Sequence, residues 1–208
     1  TILGILGIID HFRHLLRSPR ILLQHTRRRG RRENLFKIFM CLDECPPHDL
    51  PYERIKQSME LTARWAERCV NAKERGDQAL FPIVQGGVFP ELRAESAEAL
   101  SRFDLPGYAI GGLCVGEEKA QTFEMIDAAV AHLPEGKPRY LMGVGTPEDF
   151  LYDVQRGIDL FDCVVPTRLA RNGHCLTWAG KLSLKQAQYR LDERPVDENC
   201  SCRCCRRY

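Results

Sequence analysis

Four short apolar segments, which begin near residues 80, 108, 139 and 160, constrain the fold of this chain more than any other feature. The stretches between them carry the apolar spacing and capping residues of helices, as in Thr146-Pro147 with Asp149 three residues after the threonine. A parallel strand connection needs a crossover of about a dozen residues or more, usually a helix. The repeat therefore predicts an α/β fold in which helices cover a parallel sheet.

Polar or glycine residues follow each predicted strand. At the edge where parallel α/β folds place their ligands, the sequence would put Gln85, Gly112, Gly143 and Asp162. Gln85 has the donors and the acceptor to hold a purine edge, although the residue alone favours a simpler role as a cap of the turn made by residues 86–87. The glycines at 111–112 would let the backbone approach a flat ligand, or would cradle a phosphate.

The stretch FDCVVPTRLARNG, residues 161–173, contains one carboxylate, Asp162, within an apolar run. Burying a carboxylate is costly unless it is paired or used in chemistry, so the pattern predicts partners or a catalytic role for it. Residues 167–173 are predicted to form a loop in which Arg168 and Arg171 present planar cations suited to phosphates and bases. The combination favours a nucleotide substrate. The simpler alternative is an aspartate that caps a turn or pairs with an arginine.

Ten cysteines without a secretory signal indicate a reducing compartment and a metal site rather than disulfides. Cys200, Cys202 and Cys205 have a C-x-C-x-x-C spacing that suits Zn²⁺, with free surface thiols as the alternative. A predicted antiparallel hairpin at residues 174–184 leads to them. No apolar run approaches the roughly 18 residues of a membrane span, so the sequence predicts a cytoplasmic protein without a membrane partner.

The first 37 residues differ from the rest in charge, with nine Lys and Arg against two acids, whereas the remainder has 21 against 26. The arginine run at 27–32 could be an RNA-binding arm, but a solvated segment is favoured because no aromatic residues interleave the arginines. The segment could also lie outside the native reading frame. The predicted organisation is a basic segment at 1–37, a catalytic domain at 38–173 and a Cys-rich zinc-binding subdomain at 174–208.

Five segments in order resemble the tRNA-guanine transglycosylases. They are FPIVQGG at 81–87, GYAIGGLCVGE at 107–117, YLMGVGTPED at 140–149, FDCVVPTRLARNG at 161–173 and CSCRCC at 200–205. The resemblance runs from about residue 38 to the end. It implies a partial (β/α)8 TIM barrel with a zinc-binding insert near the C-terminus, and a homodimer for the full-length form.

The resemblance also implies a reaction and a set of site residues. Asp162 would attack C1′ of a guanosine extruded from the wobble position of a tRNA with a GUN anticodon, and a 7-deazaguanine such as preQ1 would then displace it. The residues implied to contact the base or support those contacts are Gln85, Gly112, Leu113, Glu117, Tyr140 and Met142. Among these, Gly112 would offer its N–H and Leu113 its carbonyl, Glu117 would support that peptide, and Tyr140 and Met142 would stack on the base. Arg168 and Arg171 would hold the anticodon, and the three cysteines would hold Zn²⁺.

Three departures from the family pattern carry further expectations. An aspartate that grips the guanine edge is replaced by Lys37, which cannot accept hydrogen bonds from the base. An upstream acid/base aspartate and a downstream zinc-binding histidine have no counterpart, which predicts a fragment that exchanges bases poorly, or a non-catalytic zinc-binding partner of the same fold. A barrel enzyme for another phosphorylated small molecule is a more distant alternative. Val115 resembles the bacterial members and predicts a preference for preQ1 over bulkier queuine.

Overall fold

The structure, a computed structural model, describes residues 38–206. The expectations for residues 1–37, including the effect of Lys37, lie outside the described residues. Within them, eight short strands form a two-stranded parallel sheet, a four-stranded sheet and a hairpin. The strands are β1 (Ile38–Met40), β2 (Ala79–Phe81), β3 (Ile83–Val84), β4 (Tyr108–Ile110), β5 (Arg139–Leu141), β6 (Leu160–Phe161), β7 (His174–Thr177) and β8 (Gly180–Ser183).

The four-stranded sheet has the order β3-β4-β5-β6, and all of its pairs are parallel. The predicted α/β fold with a parallel sheet is thereby confirmed. Its register aligns Ile110 with Leu141, and Leu141 with Phe161, at the carboxyl ends of three neighbouring strands. Residues that follow these ends therefore lie along one edge of the sheet.

Pro82 divides one predicted strand into two. The apolar segment that begins near residue 80 was expected to form one strand, but β2 pairs with β1 whereas β3 pairs with β4. Proline has no N–H for a strand ladder, and its carbonyl accepts a hydrogen bond from Ala109 N at 2.8 Å. One apolar run thus serves two parallel pairings.

Helices connect the strands and cover the sheet. The described helices are α1 (Tyr52–Ala72), α2 (Pro90–Ser101), α3 (Lys119–Val130), α4 (Pro147–Gln155), α5 (Val165–Arg171) and a 3₁₀ turn at Ala187–Tyr189. The capping box of Thr146 and Asp149 is present at the start of α4 as predicted. The hydrophobic core lies among the sheet and these helices, and includes the fully buried Leu80, Tyr108, Ile110, Ile126 and Leu141.

The stretch predicted as a loop at 167–173 is mostly the helix α5, and that prediction is wrong. Pro166 lies in the first turn of the helix, where its missing N–H costs nothing and its φ angle suits the helix. The chain leaves α5 at Asn172 and Gly173, whose φ of +68° is a conformation that glycine adopts readily. The predicted hairpin follows as β7 and β8. Among residues 38–206, no helix is long and apolar enough to cross a bilayer.

Candidate functional site

Asp162 lies directly after β6, at the carboxyl edge of the four-stranded sheet. Its Oδ1 accepts two hydrogen bonds, from Tyr140 Oη at 2.6 Å and from Gly143 N at 2.7 Å. The side chain was expected to be buried, but Asp162 is exposed because β6 ends at Phe161 and the chain turns into α5. Its second oxygen, Oδ2, has no hydrogen bond among residues 38–206. The carboxylate is therefore held through Oδ1, and Oδ2 is available to a ligand.

Tyr140 is the neutral donor in this arrangement. Burial, the hydrogen bond to Asp162 and the negative charge of that carboxylate all raise the pKa of Tyr140. The phenol therefore keeps its proton well above neutrality and remains a donor. Sequence reasoning placed Tyr140 as a stacking residue and did not predict this hydrogen bond, because the two residues are 22 positions apart.

Gln85, after β3, is only 2% exposed. Its Nε2 donates to Asp43 Oδ2 at 2.7 Å, and its own N–H is bonded to Ser96 Oγ at 3.2 Å. A side chain on Gly111 or Gly112 would collide with the Gln85 amide. The Gln85 amide therefore lies next to both Asp43 and the glycines that follow β4.

Asp43 is a site residue that was not among the base contacts expected from the sequence. It follows β1, and its neighbour Glu44 is fixed to α1 through both backbone groups. Glu44 N donates to Thr62 Oγ1 at 3.0 Å, and Ser58 Oγ donates to Glu44 O at 3.1 Å. Both hydroxyl-bearing residues are buried. The signal that could have revealed Asp43 is the acidic pair Asp43-Glu44, which begins three residues after the last residue of β1.

The backbone after β4 is bound by Glu117. Its carboxylate accepts hydrogen bonds from Cys114 N, from Val115 N at 3.0 Å and from Thr122 Oγ1 at 2.9 Å. Burial alone would raise the pKa of Glu117, but these donors and its own N–H together lower it. In a trans peptide the N–H and C=O point in opposite directions, so the bond to Cys114 N turns the Leu113 carbonyl away from Glu117.

Arg93 on α2 is a residue that sequence reasoning missed. It is fully buried, and its guanidinium donates to backbone carbonyls at 2.6–3.2 Å. The four acceptors are the carbonyl oxygens of Gly87, Val84, Gly111 and Gly112. Burial lowers the pKa of Arg93 to about 10, against the opposing effects of Glu117 and Cys45, so the group stays charged at neutral pH. An arginine within an amphipathic helix carries no local signal of burial.

The remaining predicted contact residues come after β5 and β6 in the chain. Met142 follows β5, is half-buried and donates its N–H to Ile110 O at 3.1 Å. Arg168 and Arg171 are exposed on α5, which begins three residues after Asp162. Neither arginine forms an ion pair in the part of the chain that the structure describes. Stacking by Met142 and RNA binding by the arginines remain predictions.

Cys200, Cys202 and Cys205 come together near the end of the described chain, with sulfur atoms within 4.8 Å of one another. A tetrahedral Zn²⁺ with Zn–S bonds of about 2.3 Å would separate its sulfurs by roughly 3.8 Å, so the three thiols fit the metal with small side-chain shifts. Hydrogen bonds, first that from Cys205 N–H, lower the pKa of Cys202 to about 7, whereas burial raises the pKa of Cys205 to about 11. Cys204 is exposed and lies outside this cluster. All ten cysteines are free thiols.

Comparison with known proteins gives a family for this fold and this site. The family model described as queuine tRNA-ribosyltransferase matches residues 37–208. A protein of that name from Staphylococcus haemolyticus is 54% identical over 172 residues, which is 82% of this chain and 45% of the relative. Similar proteins of the same name from Macrococcus caseolyticus and Enterococcus faecalis are 48% and 50% identical over 200 residues, 95% of this chain and 53% and 52% of theirs.

The chain spans about half the length of the curated relatives it matches. The two alignments that cover 95% of it extend into the segment before residue 37, where the family model begins. With a matched region that contains every residue of the site described above, the chain belongs to the queuine tRNA-ribosyltransferase family.

Proposed function

We propose that residues 38–173 are the catalytic part of a tRNA-guanine transglycosylase built on part of a (β/α)8 barrel. The observation that carries the proposal is the carboxylate of Asp162, which is held at Oδ1 by Tyr140 and Gly143 and leaves Oδ2 free at the ligand-binding edge of a parallel sheet. A nucleophile needs this combination of fixed position and one uncommitted oxygen.

The proposed reaction has two displacements at C1′ of one ribose. Asp162 Oδ2 forms a bond to C1′ while the bond from C1′ to guanine N9 breaks, and guanine leaves with that electron pair and takes up a proton. A 7-deazaguanine, preQ1, then loses its N9 proton and forms a bond to C1′, which releases the carboxylate. A carboxylate can stabilise the oxocarbenium-like transition state and then trap it.

The base would lie against the groups that follow β3, β4 and β5. Asp43 and Gln85 provide an acceptor and an amide for the N1 and amino edge, which suits guanine. Gly112 N–H and the Leu113 carbonyl, neither of which has a hydrogen-bond partner among residues 38–206, would read the opposite edge. Tyr140 and Met142 would flank the ring. Asp43 would thus supply the hydrogen-bond acceptor for guanine that was expected to be missing because of Lys37.

The RNA and metal contacts complete the proposal. Arg168 and Arg171, on a helix that starts beside Asp162, would hold the anticodon of a GUN tRNA around the extruded nucleotide. Residues 174–208 would form the zinc-binding part, in which Zn²⁺ would act structurally as a cross-link among Cys200, Cys202 and Cys205.

The test is incorporation of labelled guanine into tRNA by the natural polypeptide that contains this sequence. Asp162→Asn should reduce the rate at least about 10⁴-fold, as expected for loss of a nucleophile. The matched control is Asp127→Asn, an exposed aspartate on α3, which should retain the rate. A protein that binds tRNA and zinc but exchanges no base would instead support the non-catalytic alternative.

A further inference from the structure

Arg93 makes an unusual set of contacts for a buried cation. No carboxylate lies within ion-pair distance of it among the described residues, and every hydrogen bond from its guanidinium goes to a backbone carbonyl. Burying a charge without an ion pair is costly, so ordinary packing does not account for an arginine at this position. Its partners are confined to the two chain segments that leave β3 and β4.

The bonds to the second segment orient a specific group. Arg93 Nη1 donates to Gly111 O at 2.6 Å, and Nη2 donates to Gly112 O at 3.0 Å. Gly111 O belongs to the same peptide as Gly112 N–H, and the two ends of a trans peptide point in opposite directions. Arg93 therefore directs Gly112 N–H away from its own guanidinium.

Glu117 performs the matching task two peptides further on, at the peptide between Leu113 and Cys114. It binds Cys114 N, which directs the Leu113 carbonyl the opposite way. Arg93 thus binds the carbonyl end of the first peptide, and Glu117 binds the N–H end of the second. Within residues 38–206, the Gly112 N–H and the Leu113 carbonyl have no hydrogen-bond partner. Cys114 has a φ of +56°, which is uncommon for a residue other than glycine, and the hydrogen bond from Cys114 N to Glu117 supports this conformation.

We propose that Arg93 is a positioning residue for base recognition, which holds Gly112 N–H in the direction needed to donate to an acceptor on the base. The inference rests on the proposed function. Guanine exposes two acceptors on that edge, O6 and N7, and the acceptor assigned here to Gly112 N–H is O6. Arg93 itself does not touch the base, and its contribution would appear as selectivity for a base that carries the 6-oxygen.

The experiment measures how strongly two free bases inhibit base exchange by the natural polypeptide. The bases are guanine and 2-aminopurine, and 2-aminopurine lacks the 6-oxygen. Lysine at position 93 keeps the charge but lacks the planar fork that reaches several carbonyls at once. Arg93→Lys should weaken inhibition by guanine at least about tenfold, which is the effect of one misdirected hydrogen bond. Inhibition by 2-aminopurine and the kcat of exchange should change much less. Arg102→Lys, at the exposed end of α2, is the matched control and should leave both bases unaffected.

If Arg93→Lys weakened inhibition by guanine and by 2-aminopurine equally, the proposal would be overturned, because a general loosening of the site is not selective. Should that variant fail to fold, Arg93→Gln provides the same comparison with an uncharged group that can still donate to one or two carbonyls. Failure of both variants to fold would also overturn it, because Arg93 would then serve stability alone. Absence of exchange in the unaltered protein would contradict the proposed function itself, which separates the two failures.

Discussion

Removing the hydroxyl of Tyr140 tests how Asp162 is held. Tyr140→Phe keeps the ring and deletes one of the two hydrogen bonds to Oδ1, so that only Gly143 N remains. A hydrogen bond to an ionised group contributes about 1.5–3 kcal/mol, and the lower end applies here because Asp162 is exposed to solvent. With about 1.4 kcal/mol per tenfold change in rate, kcat should fall about tenfold.

The assay is single-turnover formation of the enzyme–tRNA adduct together with steady-state exchange. We expect slower adduct formation by Tyr140→Phe at an almost unchanged KM for the base, since the ring that would flank the base is kept. The control is Tyr152→Phe, an exposed tyrosine on α4, which should have the rates of the unaltered protein. An unchanged rate in Tyr140→Phe would refute the view that this hydrogen bond positions the nucleophile. A loss as large as that of Asp162→Asn would show that Tyr140 has a direct chemical role.

Three further outcomes are expected. Cys205→Ala should lower the zinc content of protein purified without chelator, whereas Cys69→Ala should not; a zinc content near zero in folded, unaltered protein would contradict the metal site. Val115→Gly should reduce the preference for preQ1 over queuine in a competition assay, and an initial preference for queuine would contradict the expected restriction of the pocket. Because the pKa of Tyr140 is raised in the folded protein, the native state keeps a proton that the unfolded chain loses above about pH 10. The unaltered protein should therefore lose stability relative to Tyr140→Phe as the pH rises beyond that value in urea unfolding, and a pH-independent difference would contradict the assignment.

Local patterns predicted the parallel sheet, the capping box of α4, the hairpin and the residues at the strand ends. Each depends on the spacing or chemistry of neighbours in sequence, as with Thr146 and Asp149, or Gln85 after its strand. The prediction for α5 was wrong because Pro166 was treated as the end of a strand, whereas proline in a first turn also begins helices. The same error placed Asp162 inside a strand and predicted its burial.

The contacts that organise the site could not be predicted from such patterns. Asp43 and Gln85 are 42 residues apart, and Arg93 is 18 residues from Gly111. No local rule distinguishes a buried arginine from a solvated one on an amphipathic helix, since the difference lies in which carbonyls the fold brings to it. The fold class could thus be predicted from the sequence, whereas the supports of the candidate site required the structure.

In the proposed reaction, Asp162 becomes covalently attached to the ribose of tRNA. The most direct test is to incubate the natural polypeptide with a GUN-anticodon tRNA, denature the mixture and map the attachment by mass spectrometry of peptide and nucleotide fragments. We expect a denaturant-resistant adduct that carries the ribose on Asp162, that is absent in Asp162→Asn and that disappears when preQ1 is added. Attachment to another residue, or an adduct that survives Asp162→Asn, would contradict the claim.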